Sequence, residues 1–211
     1  MPRAEAADVL PTVIVIDDDP PVRSSLERML EGAGLRSLTF CSAEAFEPTS
    51  HAGPCCLVLD VKLPTAGGIE VLRALARRTE LPIIFVTDRC DVPLTVQAMK
   101  AGAVEVLTKP FEDATMLRAI ADAMERSTLM LRLDGDLRAL RDKYEALTRR
   151  EREVMALVVA GMLNKQVGAE LGISEITVKA HRGQVMRKMK AASLPDLVNM
   201  AARLGAHKTA S

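Results

Sequence analysis

The stretch VIVIDDDPPVR, from Val13 to Arg23, joins four apolar residues to three consecutive aspartates and two prolines. The apolar run has the length and the β-branched composition of a buried strand, whereas proline favours the first turn of a helix. Three carboxylates placed side by side repel one another unless something positive offsets their charge. The stretch therefore predicts a strand, a cation-binding strand end, and a helix that Asp19 caps.

The first 120 residues continue this pattern, because short apolar runs bounded by turn residues alternate with helical segments. The predicted strands cover residues 12–17, 35–40, 55–60, 81–88 and 103–109. The predicted helices cover residues 20–34, 42–50, 68–79 and 91–102, and a fifth begins near Glu112. This alternation indicates an α/β fold with a doubly wound, five-stranded parallel sheet of the flavodoxin-like kind.

The carboxyl ends of the predicted strands carry polar residues, and ligands of such sheets bind at this edge. Asp17 and Asp18 follow the first strand, Asp60 ends the third, and Thr87 and Lys109 stand at the ends of the fourth and fifth. Carboxylate ligands suit Mg²⁺, and a carboxylate beside the metal is able to form an aspartyl phosphate. The lysine and the hydroxyl would then stabilise the transferred phosphoryl oxygens.

These residues, in this order, resemble the receiver domain of bacterial two-component response regulators. The resemblance rests on VIDDD, LVLDVKLP, FVTD and LTKPF, which lie within residues 10–125. The site that it implies consists of Asp60 as the phospho-acceptor, Asp18 as a direct Mg²⁺ ligand, Asp17 as a ligand through water, Lys62 as a ligand through its main-chain carbonyl, and Thr87 and Lys109 as contacts to the phosphoryl oxygens. It also implies a cis peptide bond between Lys109 and Pro110.

Two positions depart from the receiver pattern. Val106 stands where the family commonly has Phe or Tyr, so an aromatic switch on phosphorylation is not expected. Asp88 follows Thr87 where a small residue is common, and it adds a carboxylate near the site. A DNA-binding protein whose receiver works without phosphorylation therefore stays an alternative.

A phosphatase with an aspartyl nucleophile agrees less well with the sequence. The motif of such enzymes has a second Asp two residues after the nucleophile and a Thr or Val four residues after it. Here Asp17 is followed at those positions by Asp19 and Pro21. We therefore do not expect the chain to be an enzyme.

A net charge of zero conceals an asymmetry along the chain. Residues 1–147 hold 17 Lys and Arg against 23 Asp and Glu, a net charge of −6, and residues 148–211 hold 11 against 5, a net charge of +6. The basic segment suits an anionic polymer. No apolar run approaches the roughly 18–20 residues of a membrane span, and the first residues lack the apolar core of a secretory signal. We expect a cytoplasmic protein with no membrane partner.

A heptad pattern precedes the basic segment, and it predicts a helical linker over residues 126–146. Its apolar positions alternate at spacings of four and three, at Leu133, Leu137, Leu140, Tyr144 and Leu147. Two interpretations stay open. The seam forms a coiled coil with a second copy, or the helix lies on one of the chain's own domains.

The basic segment predicts four short helices, over residues 149–161, 164–172, 174–190 and 193–205, with Ser174 and Ser193 as N-caps and glycines at three C-termini. The second and third helices, around a tight GIS turn, have helix-turn-helix character. The stretches LTRREREV, GMLNKQVGAELGIS and TVKAHRGQVMRKM resemble the LuxR-type DNA-binding domain of FixJ and NarL regulators over residues 143–206. This implies an all-α domain whose third helix reads DNA and whose last helix is able to pair two subunits.

The candidate DNA contacts are polar and basic residues of the two helices, namely Lys165, Thr177, Lys179, His181, Arg182 and Lys188. A half-buried structural role for His181 is an equally open interpretation. Gly183 stands where some relatives carry a base-contacting side chain, so the DNA sequence that the chain reads does not transfer from the family.

Together these patterns predict a transcriptional response regulator. The expected parts are an N-terminal extension (1–11), a receiver domain (12–125), a helical linker (126–146), a LuxR-type DNA-binding domain (147–206) and a tail (207–211). The expected partners are a sensor histidine kinase that phosphorylates Asp60, promoter DNA and RNA polymerase. We expect a homodimer when the chain is phosphorylated or bound to DNA, and Mg²⁺ as the cofactor.

Overall fold

The computed structural model describes residues 10–46, 53–60, 68–78, 81–88 and 92–205. The chain divides into two compact units, Met1–Leu131 and Arg132–Ser211. Lys62, most of the expected N-terminal extension and the expected tail lie outside the described residues. None of the described helices is long and apolar enough to cross a membrane.

The first unit contains a sheet of five parallel strands. The strands are β1 (Thr12–Ile16), β2 (Arg36–Phe40), β3 (Cys55–Asp60), β4 (Ile83–Thr87) and β5 (Ala103–Thr108). The helices that follow β1, β3, β4 and β5 are α1 (Pro20–Gly32), α2 (Gly68–Arg78), α3 (Val92–Ala101) and α4 (Asp113–Glu145). The strand order β2-β1-β3-β4-β5 confirms the predicted doubly wound, flavodoxin-like sheet.

The three central strands β1, β3 and β4 are buried throughout and mostly apolar, because helices cover both faces of the sheet. Within β1, Ile14 and Ile16 point to the core cluster on the side of α2 and α3, and Val13 and Val15 point to the cluster on the side of α1 and α4. All four residues are buried. This packing fixes the register of β1 and places the aspartates directly at its carboxyl end.

The prediction of a helix over residues 42–50 is wrong for residues 42–46, which form bends and a turn. The Ser42 hydroxyl accepts a hydrogen bond from the Ala45 backbone N–H at 3.3 Å, a local bond that competes with helix formation. Phe46 is buried and packs edge-on against Phe40, with ring centroids 5.6 Å apart. Phe46 therefore anchors the described part of this segment to the sheet. Residues 47–50 lie outside the described part of the chain.

Helix α4 contains nearly all of the predicted linker, since it runs without a break from Asp113 to Glu145. Leu140, Tyr144 and Leu147 of the heptad seam pack into the core of the second unit. Leu133, by contrast, is 56% exposed. The C-terminal part of the seam therefore lies on the chain's own domain, as one of the two interpretations predicts. Pairing of the N-terminal part with a second copy stays a prediction.

The second unit adds the helices α5 (Arg149–Val159), α6 (Asn164–Leu171), α7 (Glu175–Met189) and α8 (Leu194–Leu204). Ser174 and Ser193 are the N-caps of α7 and α8, as predicted. Gly172 and Gly205 end α6 and α8 in the left-handed conformation, whereas the C-cap of α5 is Ala160, one residue before the predicted glycine. Two apolar clusters form the core of this unit.

Candidate functional site

Three carboxylates meet at the carboxyl edge of the sheet. Asp17 directly follows β1 and Asp60 is the last residue of β3, and since these strands are neighbours in parallel register, their ends lie side by side. Oxygen atoms of Asp17, Asp18 and Asp60 all lie within 4.8 Å of one another. Asp17 and Asp60 are each 2% exposed, and Asp18 is exposed. This donor set consists only of oxygen and fits a hard divalent cation such as Mg²⁺.

Lys109 links two of these carboxylates. Its Nζ atom donates hydrogen bonds to Asp17 Oδ2 at 2.9 Å and to Asp60 Oδ2 at 3.0 Å. Its backbone N–H donates to the carbonyl of Thr87 at 2.8 Å, which ties the residue after β5 to the end of β4. The Lys109–Pro110 peptide bond is cis, as predicted. The lysine therefore brings one positive charge to the two buried carboxylates.

The environment shifts the pKa values of Asp17 and Lys109. Burial raises the pKa of Asp17, while hydrogen bonds from Lys109 and from the Asp19 backbone N–H act in the opposite direction. Burial alone would lower the pKa of Lys109, but its hydrogen bonds to the Asp17 and Asp60 carboxylates outweigh this effect and raise it. Lys109 therefore keeps its positive charge at neutral pH.

The backbone around Asp17 is held by contacts that the sequence did not predict. The Asp19 backbone N–H donates to Asp17 Oδ1 at 2.8 Å, and the guanidinium of Arg23 donates to the Asp17 carbonyl at 2.6 Å. Asp19 occupies the N-cap position of α1, but its side chain makes no capping hydrogen bond, which corrects the predicted cap. Pro21 removes the backbone N–H of the second helical residue, one of the two donors from which an N-cap side chain usually accepts.

The remaining predicted positions surround this cluster. Thr87 ends β4 and is buried. Val106 is half-buried and packs against the core cluster on the side of α2 and α3. Asp88 lines, with Lys109 and Phe111, an open and mostly apolar groove of about 490 Å³. An acidic residue therefore lines the same groove as Lys109, at a position where receiver domains commonly have a small residue.

The second unit contains a helix-turn-helix formed by α6 and α7. Gly172 adopts a left-handed conformation with φ of 66° between the two helices. Gly168 of α6 lies so close to the turn that an added Cβ atom would stand 2.7 Å from the carbonyl oxygen of Ile173. Val167 and Val178 are buried together in a core cluster of this unit. The glycines thus allow the tight approach that sets the second helix beside the first.

The six predicted DNA contacts differ in exposure and in partners. Lys165, Thr177 and Lys179 are exposed, and His181, Arg182 and Lys188 are half-buried. Arg182 donates to Asn164 Oδ1 at 3.0 Å, which links α7 to the start of α6. Lys188 donates to Glu151 Oε2 at 2.7 Å and to the Ala146 carbonyl at 3.2 Å. Arg182 and Lys188 therefore make contacts inside their own unit, and their contacts to DNA stay predictions.

Glu151 is a structural residue that the sequence analysis did not single out. It forms a capping box with Thr148, in which the Glu151 side chain accepts from the Thr148 backbone N–H at 2.7 Å and the Thr148 hydroxyl accepts from the Glu151 backbone N–H at 3.2 Å. Hydrogen bonding to Lys188 lowers the pKa of Glu151, and burial opposes this effect. The spacing Thr-x-x-Glu at the start of α5 is a sequence signature of such a box.

Comparisons with known proteins agree with both units. A family model described as "Response regulator receiver domain" matches residues 13–121, and one described as "Bacterial regulatory proteins, luxR family" matches residues 145–201. The chain is 45% identical to nodulation protein W of Bradyrhizobium diazoefficiens over 195 residues, which cover 92% of this chain and 86% of the relative. It is 43% identical to the transcriptional regulatory protein FixJ of Rhizobium meliloti over 194 residues, which cover 90% of this chain and 94% of the relative.

Two solved structures cover nearly the whole chain. The response regulator StyR has a TM-score of 0.77 at 39% identity, over 92% of this chain and 99% of that chain. The comparison with full-length FixJ from B. japonicum gives a TM-score of 0.53 at 37% identity and covers 92% of this chain and 97% of that chain.

Proposed function

Because the chain belongs to the FixJ/NarL-type response regulators of two-component systems, we propose that Asp60 is the residue through which it receives its signal. The proposal rests on one observation above the others. A lysine from the end of β5 lies within hydrogen-bonding distance of both Asp60 and Asp17, in a cluster of three carboxylates. A sensor histidine kinase would be the phosphodonor.

In the proposed transfer, a carboxylate oxygen of Asp60 forms a P–O bond while the P–N bond of a phosphohistidine on the kinase breaks. The imidazole nitrogen keeps the electron pair of the broken bond, so Asp60 needs no proton transfer. Lys109 is 3.0 Å from Asp60 Oδ2, so its ammonium group is close enough to bond an oxygen of a phosphoryl group attached there. The Thr87 hydroxyl, at the end of the neighbouring strand, is the second proposed contact to those oxygens.

We infer that Asp17, Asp18 and Asp60, together with the main-chain carbonyl of Lys62, hold Mg²⁺. When bound, the ion supplies positive charge that stabilises the phosphoryl oxygens during transfer. The position of Asp17 and Asp18 at the end of β1, and the hydrogen bond from the Asp19 backbone N–H to Asp17, support this proposal. The protein residues thus form an anionic pocket that accepts a cation and then a phosphoryl group.

The output of the chain is transcription regulation, and we propose that α7 binds the major groove of promoter DNA. The proposed contacts are Lys165, Thr177, Lys179, His181, Arg182 and Lys188. We propose a cytoplasmic protein that acts as a homodimer when phosphorylated or DNA-bound, contacts RNA polymerase, and is not itself an enzyme. The proposed functional parts are the receiver domain (12–125), the linker (126–146) and the DNA-binding domain (147–206), with an extension and a tail outside them.

Labelling with acetyl phosphate tests the phosphorylation site. The full chain should gain one phosphoryl group, detected by intact mass, only when Mg²⁺ is present. Asp60→Asn should abolish the gain, whereas Asp19→Asn should keep it, because the Asp19 side chain is exposed and makes no capping bond. Equal labelling of Asp60→Asn and wild type would contradict the proposed acceptor.

A further inference from the structure

Helix α7 presents an apolar side chain at the end that enters DNA in a helix-turn-helix. Ile176, in the first turn of α7, is 83% exposed. A single exposed apolar residue on a protein surface is ordinary. Ile176 differs because of its place, since residues near the N-terminus of the second helix contact base edges in helix-turn-helix proteins.

The face of α7 around Ile176 is also poor in hydrogen-bonding groups. Val178, Val185 and Met189 are buried and define the face toward the core. At 3.6 residues per turn, Ile176, Ala180 and Gly183 lie on the opposite face, and all three are exposed. None of these side chains donates or accepts a hydrogen bond, so the outward face of α7 from Ile176 to Gly183 lacks the groups that read most base edges.

The flanking residues supply polar groups at the sides of this face. Thr177 is exposed, but its hydroxyl lies 2.8 Å from that of Ser174 and its backbone N–H is capped by the same serine. Lys179 is exposed on the other flank. The net charge of +6 over residues 148–211 fits an anionic partner. The surface therefore combines cations for phosphates with an apolar centre.

One feature of the major groove matches an apolar centre. Among the base edges, only thymine presents an apolar group there, the C5-methyl, and apolar side chains recognise it by packing. We propose that Ile176 packs against a thymine methyl group in each half-site and makes the chain selective for thymine at that position. This inference rests on the proposed DNA-binding function of α7 and adds the base feature that it reads.

Deoxyuridine substitution tests the inference, because it removes only the methyl group. A duplex would first be selected by the full chain from a random-sequence pool, with acetyl phosphate and Mg²⁺ present. Each thymine would then be replaced singly by deoxyuridine, and the dissociation constant measured by fluorescence anisotropy. For wild type, replacement at one position of each half-site should weaken binding by about four-fold, as expected for losing one buried methyl group.

The Ile176→Ala variant should lose this sensitivity and bind the thymine and deoxyuridine duplexes equally well. Leu163→Ala is the matched control, since Leu163 is also exposed, at 70%, and lies in the same unit but outside α7. It should keep the four-fold effect. Because both side chains are exposed, both variants should unfold at the wild-type temperature.

Two results would overturn the inference. Wild type could bind every deoxyuridine duplex as tightly as the parent, or Ile176→Ala could show the same loss as wild type. A pool in which no sequence becomes enriched would instead contradict the DNA-binding premise, and the inference would fall with it. The failure of the inference and that of the proposed function are therefore distinguishable.

Discussion

The Nζ atom of Lys188, near the end of α7, lies 2.7 Å from Oε2 of Glu151, a buried carboxylate in the first turn of α5. Glu151 also holds the backbone of Thr148. Lys188 thus fixes the second helix of the helix-turn-helix to the helix that supports it. It positions α7 whether or not it also contacts DNA.

Lys188→Met should lower the free energy of unfolding of the second unit by about 1–3 kcal/mol, because it leaves a buried carboxylate without its charged donor. The chain has one tyrosine and no tryptophan, and Tyr144 packs in this unit, so tyrosine fluorescence in urea follows its unfolding. Lys179→Met on the same helix is the control. Because Lys179 is exposed, the Lys179→Met variant should change the free energy of unfolding by less than about 0.5 kcal/mol, and it should weaken DNA binding. Equal stability of the two variants would refute the positioning role.

The Lys188–Glu151 pair should also give a defined pH dependence. The pKa of Glu151 is lowered below its ordinary value of 4.5, so the pair contributes stability above pH 4.5 and loses it as pH falls through the folded pKa. The difference in unfolding free energy between wild type and Lys188→Met should therefore be largest near neutral pH and shrink in acid below pH 4.5. Urea titrations at several pH values measure it, and a difference that stays constant in acid would contradict the assignment.

The sequence predicted the acidic site well because its residues occupy strand ends. An apolar run that is buried on both faces identifies a parallel strand, and the polar residue that follows it must lie at the shared edge. Asp17, Asp60 and Lys109 could be placed together on this ground alone. Asp17 and Asp60 lie at the ends of neighbouring strands, whereas Lys109 reaches both carboxylates from the end of β5, beyond β4.

The contacts of Lys188 and of the linker were harder to predict because they depend on tertiary packing. A lysine on a helix surface looks the same in the sequence whether it faces solvent, DNA or a carboxylate 37 positions away. The heptad seam was ambiguous in the same way. Apolar residues such as Leu140 and Tyr144 are expected both in a coiled coil and in a domain core. Only the packing of α5, α7 and α8 distinguishes these cases.

Ser127 should stabilise the first unit through one buried hydrogen bond. Its hydroxyl, on α4, accepts from the backbone N–H of Cys55 at 3.0 Å, where β3 begins. Ser127→Ala removes this acceptor of the Cys55 N–H and should lower the free energy of unfolding of the first unit by about 1–3 kcal/mol. Hydrogen exchange at the Cys55 amide should become faster. Thr128→Ala should leave this amide protected, because the Thr128 hydroxyl donates to the Met124 carbonyl of its own helix.

Replacing two glycines of the helix-turn-helix by alanine should have opposite effects on the stability of the second unit. An added Cβ at Gly183 meets nothing within 4 Å, so Gly183→Ala should stabilise the second unit by about 0.5–1 kcal/mol through helix propensity. A Cβ at Gly168 would stand 2.7 Å from the Ile173 carbonyl oxygen, so Gly168→Ala should destabilise it by about 1–3 kcal/mol. Tyr144 fluorescence in urea measures both changes. Stabilisation by Gly168→Ala would show that the turn is not closely packed, and destabilisation by Gly183→Ala would contradict the open space at that position.

The central claim is that phosphorylation of Asp60 controls binding of DNA by the second unit. Its most direct test is the affinity of the full chain for one selected duplex, measured with Mg²⁺ in the presence and absence of acetyl phosphate. Wild type should bind at least about five-fold more tightly with acetyl phosphate, the lower range of typical coupling between sites, and Asp60→Asn should bind equally under both conditions. A wild-type affinity that acetyl phosphate leaves unchanged or lowers would contradict the account, and would favour a receiver that works without phosphorylation.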